Sequence, residues 1–245
     1  MDTLIQLTML GTGSGFSKKY YNNNALFNLN GYKLLVDCGF TAHRSLYELG
    51  MSWERDIDGI LITHIHADHV GGLEEVALDG KYKFNKKIDL FIAEDLVDLL
   101  WNNCLKGGVA SLEEEQIADF YNVRLISEES FEVMGIELSL VKTKHIPGKS
   151  SYSVWLENIF FSSDIVFDEQ LLMQVNEKAT HIYHDCLLDR TPVHTSIHEL
   201  LTLPDYIQAK IWIMHYCDNL QAYLDTNPIR HLNIVEQHKT YLLSE

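Results

Sequence analysis

Three imidazoles and a carboxylate fall within six consecutive residues, His64-Ile65-His66-Ala67-Asp68-His69. They follow the apolar run Ile60-Leu61-Ile62. His64 and His66 are two apart, so at the end of an extended strand both side chains face the same way. Asp68 and His69 fall at the start of a predicted helix. Neutral imidazole nitrogen and carboxylate oxygen are the ligand set of Zn²⁺, and they also accept Mn²⁺ or Fe. Four donors this close can feed two adjacent metal ions. Gly71-Gly72, just behind them, leaves room for backbone to approach the site. A lone histidine on a loop would carry no such reading; this run directly after a buried strand does.

The elements that must position these donors follow from patterning. Leu4–Leu10, Ala25–Leu29, Lys33–Val36, Ile57–Thr63 and Ile88–Ala93 read as strands in the first half. Asn30-Gly31 between two of them is a strong hairpin signal. Ala42–Leu49, Asp68–Leu78 and Asp95–Leu105 read as helices. In the second half, Val123–Ile126, Ile136–Lys142, Ser151–Trp155, Ile159–Ser162, His181–His184 and Ile211–Met214 read as strands. Helices are predicted at Asp168–Val175 and Ser196–Leu203. Each half runs mostly strands first and helices later. That order predicts an α/β fold in which two sheets pack together with helices outside, an αββα sandwich forming a single domain over residues 1–245.

Composition narrows the function. The 245 residues are 46% hydrophobic and 22% charged, with 14 Gly and 4 Pro, which excludes collagen-like, low-complexity and disordered chains. Lys+Arg is 19 against Asp+Glu 35, a formal charge of −16. Such a surface repels phosphate backbones, so no nucleic-acid polymer is expected as a partner, although a small anion held by metal is compatible. Cys38, Cys104, Cys186 and Cys217 lie far apart without a CxxC pair, which points to a reducing compartment. The N-terminus lacks a basic n-region, and no uncharged apolar run approaches the ~18–20 residues of a membrane span. A cytoplasmic protein with no membrane partner is expected. Gly11-Thr12-Gly13-Ser14-Gly15 is not a nucleotide P-loop, because no Gly-Lys-Ser/Thr follows.

With its His-x-His-x-Asp-His run, the chain resembles the metallo-β-lactamase-fold hydrolases. The resemblance implies a third histidine for one metal, a bridging aspartate and a last histidine for the other. His145 after the strand Ile136–Lys142, Asp164 after Ile159–Ser162 and His215 after Ile211–Met214 match these roles. It thus implies His64, His66 and His145 on one ion, Asp68, His69 and His215 on the second, and Asp164 between them. Asp37, in Val36-Asp37-Cys38-Gly39, matches a residue that orients ligands in that family.

Three branches compete. His145-Ile146-Pro147-Gly148 is similar to glyoxalase II, a thioester hydrolase. The glycine-rich first loop, Asn24, the pair His184-Asp185 and the segment Val193-His194-Thr195-Ser196 instead resemble the ribonuclease Z-like phosphodiesterases. There, an acid and a histidine before the last ligand shuttle the leaving-group proton, which assigns that role to Asp185 and His194. This chain has Asp where that branch has Glu, and Thr-Ser where it has Ser-Thr. The tRNA-processing members carry a long arm between the third histidine and the bridging aspartate. Here the two are only 19 positions apart and two strands fill the interval, so a tRNA 3′ endonuclease ranks second. The nearest resemblance is to the arm-less anti-Pycsar phosphodiesterases of phages and bacteria. It implies hydrolysis of small 3′,5′-cyclic nucleotides by two metal ions, with Asp68 orienting the attacking water, and a homodimer.

Overall fold

The computed structural model describes residues 4–127 and 130–243. Strands β1 (Ile5–Met9), β2 (Ala25–Leu29), β3 (Tyr32–Val36), β4 (Gly59–Ile62), β5 (Asp89–Ala93) and β6 (Asn122–Ile126) are joined by the C-terminal β14 (Thr240–Leu242) in a seven-stranded sheet of order β14-β1-β2-β3-β4-β5-β6. The second sheet contains β7 (Ser130–Val133), β8 (Ile136–Thr143), β9 (Ser151–Leu156), β10 (Ile159–Phe161), β11 (His181–Asp185), β12 (Ile211–Met214) and β13 (Asn233–Ile234). Its order is β13-β12-β11-β10-β9-β8-β7.

Alternation along the strands builds the layers. Ile5, Leu7 and Met9 of β1, Phe27 of β2 and Leu34 and Val36 of β3 point between the sheets, where they meet Leu138, Val154 and Phe161. The intervening Leu26, Leu35, Ile60 and Ile62 face outward and pack under the helices of the first half. Phe160, Ile182, Ile211 and Ile213 do the same for the helices of the second half. The result is the expected four-layered αββα sandwich, the metallo-β-lactamase fold. β14 pairs antiparallel with β1, so the last described segment closes on the first.

The Asn30-Gly31 hairpin forms as its sequence requires, with φ of 51° and 99° and Leu29 paired to Tyr32. Met134-Gly135 makes a second two-residue turn between β7 and β8, with φ of 51° and 79°. The expected continuous helix Asp68–Leu78 is instead two pieces, Ala67–Val70 and Leu73–Asp79. Gly71-Gly72 separates them because Gly72 lies against the Cys38-Gly39 backbone. Its N–H donates to Cys38 O at 2.8 Å, and an added Cβ would sit 2.7 Å from Gly39 O. The helix expected at Asp95–Leu105 is α-helical only over Glu94–Asp98 and continues as a π-turn through Leu105. The helix expected over Asp168–Val175 runs Glu169–Lys178, with Asp168 as its N-cap accepting from Leu171 N at 3.0 Å. The short strands β7, β13 and β14 and the helix Leu220–Thr226 carry too little pattern to be read beforehand. Among the described residues, no helix is long and apolar enough to cross a membrane.

Candidate metal centre

β3 to β6 run parallel, as do β10 to β13. The carboxyl ends of parallel strands open a crevice where loops can converge. Asp37 follows β3, Thr63 and His64 follow β4, Asp164 follows β10, Asp185 ends β11 and His215 follows β12. Asp37, Ser163 and His215 have φ of 62°, 50° and 59°, a left-handed turn that is costly for residues with a Cβ. Such strain gathers at functional sites.

His64 Nε2 lies 3.0 Å from His66 Nδ1, and His145 Nε2 lies 3.3 Å from the same atom. Asp164 Oδ2 stands 3.8 Å from His64 Nε2 and 3.7 Å from His145 Nε2. On the other side of Asp164, His69 Nε2 lies 3.3 Å from Asp68 Oδ2 and 3.4 Å from Asp164 Oδ2. His215 Nε2 lies 3.4 Å from Asp68 Oδ2 and 3.4 Å from Asp164 Oδ1. All seven residues expected from the sequence therefore come together, as two four-residue clusters that share Asp164.

The outer nitrogens are held so that the inner ones face the centre. His69 Nδ1–H donates to buried Asp37 Oδ2 at 2.7 Å. The Thr63 hydroxyl donates to Asp37 at 2.8 Å and accepts from His64 Nδ1–H at 3.1 Å. One carboxylate thus fixes one ring directly and another through a hydroxyl. His145 Nδ1–H donates to Val193 O at 2.7 Å. His215 Nδ1 lies 3.3 Å from Asp185 Oδ1.

Electrostatics divide the two sets. Burial pushes His64 well below the ordinary imidazole value and His66 down to about 4, and it lowers His145. These three present neutral lone pairs. Burial also opposes charge on His69 and His215, but the carboxylates around them, Asp164 foremost, overcome it and hold both well above their ordinary value. Burial would raise Asp164, yet His215 and His69 keep it well below the usual carboxylate range.

The donors fit a metal pair. His69 Nε2 and Asp164 Oδ1 are buried without a hydrogen-bond partner, which is expensive unless a cation takes the lone pairs. The 3.3–3.4 Å separations around the second set match tetrahedral ligands each ~2.0–2.1 Å from a common ion.

A pocket of about 620 Å³ opens above this floor, lined by His66, Asp68, His145, Asp164, His194 and His215 together with apolar side chains. The His194 ring stacks on His215 at a centroid distance of 5.0 Å and lies 4.8 Å from His145. Its Nδ1–H donates to Asp185 Oδ2 at 2.8 Å. Burial opposes its charge, but Asp185 prevails and raises its pKa above the ordinary value. His184 is buried, and its Nδ1 hydrogen-bonds Asp185 O at 2.7 Å, so only the second member of the His184-Asp185 pair serves the site.

Comparison with known proteins settles the family. The Anti-Pycsar protein Apyc1 family model matches residues 5–241. The chain belongs to the Apyc1 anti-Pycsar family. It is 45% identical to Anti-Pycsar protein Apyc1 of Paenibacillus xerothermodurans, over 98% of each chain. It is 44% identical to that of Bacillus phage vB_BveM-Goe7, over 89% of this chain and 92% of that one. A new diphosphatase from the PhnP family superposes with a TM-score of 0.76 at 17% identity, covering 98% of this chain and all of the other (100%). The short form of human tRNase Z gives 0.66 at 16%, over 96% and 98%. Those two likenesses establish the shared fold of this Apyc1 family member.

Sequence reasoning did not single out Thr63 or Ser163, whose hydroxyls meet at 2.8 Å beside Asp37. The available signal was position: each immediately precedes a donor at a strand end.

Proposed function

We propose that this chain is a two-metal phosphodiesterase that hydrolyses 3′,5′-cyclic nucleoside monophosphates to linear monophosphates and so removes a cyclic-nucleotide immune signal. The observation that carries the reading is the pair of donor clusters joined through Asp164 at the floor of one pocket, with His194 on its wall. His64, His66 and His145 would hold one ion and Asp68, His69 and His215 the other, with Zn²⁺ the first choice and Mn²⁺ or Fe the alternatives. Metal bound there would supply a lowered pKa for water and neutralisation of the charge that develops on the phosphoryl group.

The chain's own side chains supply the rest. Asp68 orients the attacking water. His194, fixed at Nδ1 by Asp185, presents Nε2–H to the leaving oxygen, and its raised pKa keeps that proton in place near neutral pH. The Anti-Pycsar name of the relatives supports the signalling role. The interval from His145 to Asp164 folds into a turn followed by β9 and β10 within the sheet, which leaves no arm for tRNA, and the −16 charge agrees. We propose a cytoplasmic protein acting as a homodimer; sedimentation of the purified protein should give the mass of a dimer.

A hydrolysis panel with metal analysis tests the reading: cyclic purine and pyrimidine mononucleotides, a pre-tRNA and a thioester. Turnover of the cyclic nucleotides by protein carrying close to two metal ions is expected. Efficient pre-tRNA 3′ cleavage or thioester hydrolysis without cyclic-nucleotide turnover would replace it with one of the other two branches.

A further inference from the structure

The turn Ser14-Gly15-Phe16-Ser17 closes through Ser17 N–H to Ser14 O at 2.9 Å. Its base is pinned to the segment just after β12, next to His215, since Ser14 N–H donates to Tyr216 O at 3.1 Å. Its far side is clamped by Asp218. That carboxylate accepts from the Ser17 hydroxyl, from Lys18 N at 2.9 Å and from Lys19 N at 2.9 Å. At Gly15 an added Cβ would stand 2.8 Å from Asp68 Oδ2, so the turn rests against the metal centre itself.

This rigid device displays Phe16 at 92% exposure on the lining of the pocket above the metals. An exposed phenyl ring contributes nothing to the core; its meaning lies in the apolar lining that it shares with its neighbours. Phe40, half exposed, is a second aromatic of that lining, and Ile146, Leu187 and Val193 continue the apolar wall. No Lys or Arg lines the pocket among the described residues. The charged groups that can meet an anionic phosphate are therefore those of the floor and His194, while the rest of the wall, largely apolar, suits a flat, uncharged ring.

We infer that Phe16, presented by the Asp218-clamped turn, is the platform on which the nucleobase of the substrate stacks, with Phe40 as a second apolar wall. The inference rests on the cyclic-nucleotide reading above. Stacking uses the π-face that every base has, so the platform ranks substrates by ring area and favours purines over pyrimidines.

The test compares wild type, Phe16→Ala and Phe16→Trp on cyclic AMP, cyclic CMP and the base-free ribose 3′,5′-cyclic phosphate. In Phe16→Ala the preference for cyclic AMP over the base-free phosphate, as a ratio of kcat/KM, should fall about 5- to 150-fold, mainly through KM. The loss should be smaller for cyclic CMP, and Phe16→Trp should restore the ratio. An unchanged ratio in Phe16→Ala overturns the inference. So does a loss of kcat equal on all three substrates, or one accompanied by a shift in sedimentation, either of which would make Phe16 a support of the turn or a subunit contact. Failure of wild type to turn over any of the three would instead sink the phosphodiesterase reading itself.

Discussion

His194 Nδ1 and Asp185 Oδ2 lie 2.8 Å apart, one residue from the loop after β11 and the other from that strand's end. The carboxylate is fully buried while the ring reaches the pocket. Neither belongs to the two donor clusters proposed to hold the metals. His194→Ala should therefore keep both metals and lose about 10²–10⁴-fold in kcat on a cyclic nucleotide. On bis-p-nitrophenyl phosphate, whose phenolate leaves without help, the loss should be much smaller. Equal losses on both substrates would make His194 a structural support rather than a proton donor.

Asp185 has a second duty that the sequence did not reveal, because its Oδ1 lies 3.3 Å from His215 Nδ1. Asp185→Ala should lower kcat as His194→Ala does and, in addition, weaken one metal about 10–100-fold. Chelator competition separates the two variants: His194→Ala should hold its metals as wild type does, and Asp185→Ala should release one early.

Asp37 restrains His69 directly and His64 through Thr63, one ring from each donor set. Asp37→Ala should weaken both metals, again by about 10–100-fold each. Thr63→Val, which removes only the hydroxyl, should weaken chiefly the ion held with His64. Equal release of both ions from Thr63→Val would contradict this wiring.

The pH dependence of metal loading should differ between the two sets. In the metal-free chain, burial keeps His66 down at about 4 and lowers His64 and His145, so these lone pairs are free at neutral pH. His69 and His215 are raised well above their ordinary value, so each carries a proton there that a metal must displace. The sign is that affinity at the second set increases with pH across the neutral range and loading it releases protons, while the first set changes little. Titration with Zn²⁺ at pH 6 and pH 8, with proton release followed in weak buffer, checks this.

Gly39 abuts the helix that carries Asp68 and His69. A Cβ there would stand 2.0 Å from Asp68 O and 2.8 Å from the Asn22 Cβ, both fixed atoms. Gly39→Ala should cost at least ~1–3 kcal/mol and lower Tm by several degrees, with loss of metal. Gly50→Ala meets no atom within 4 Å, but its φ of +67° still strains the backbone, so its cost should be smaller and its metals retained.

Much of this protein was legible as sequence because the informative features are local. The run His64-x-His66-x-Asp68-His69 puts four donors of one site within six residues, and the strand alternation that buries Leu61 between the sheets and Ile60 and Ile62 outside needs only a period of two. His145, Asp164 and His215 were reachable through resemblance to a family, since each follows an apolar strand. Other features required the folded chain. Thr63 and Ser163 meet Asp37 through contacts spanning 26 and 126 positions, and no local pattern encodes them, whereas Asp37 itself was reachable through the resemblance. The double use of Asp185 depends on which way two imidazoles turn, and the break at Gly71-Gly72 depends on a backbone arriving from Cys38. Strands β13 and β14 are two and three residues long, too short for periodicity, and exist because a neighbouring strand supplies the hydrogen bonds. The sequence by itself determined the donors and the layers; the packing of the two sheets decided which nitrogen of each ring faces the centre, because that choice lies with whatever partner the fold sets against the other nitrogen.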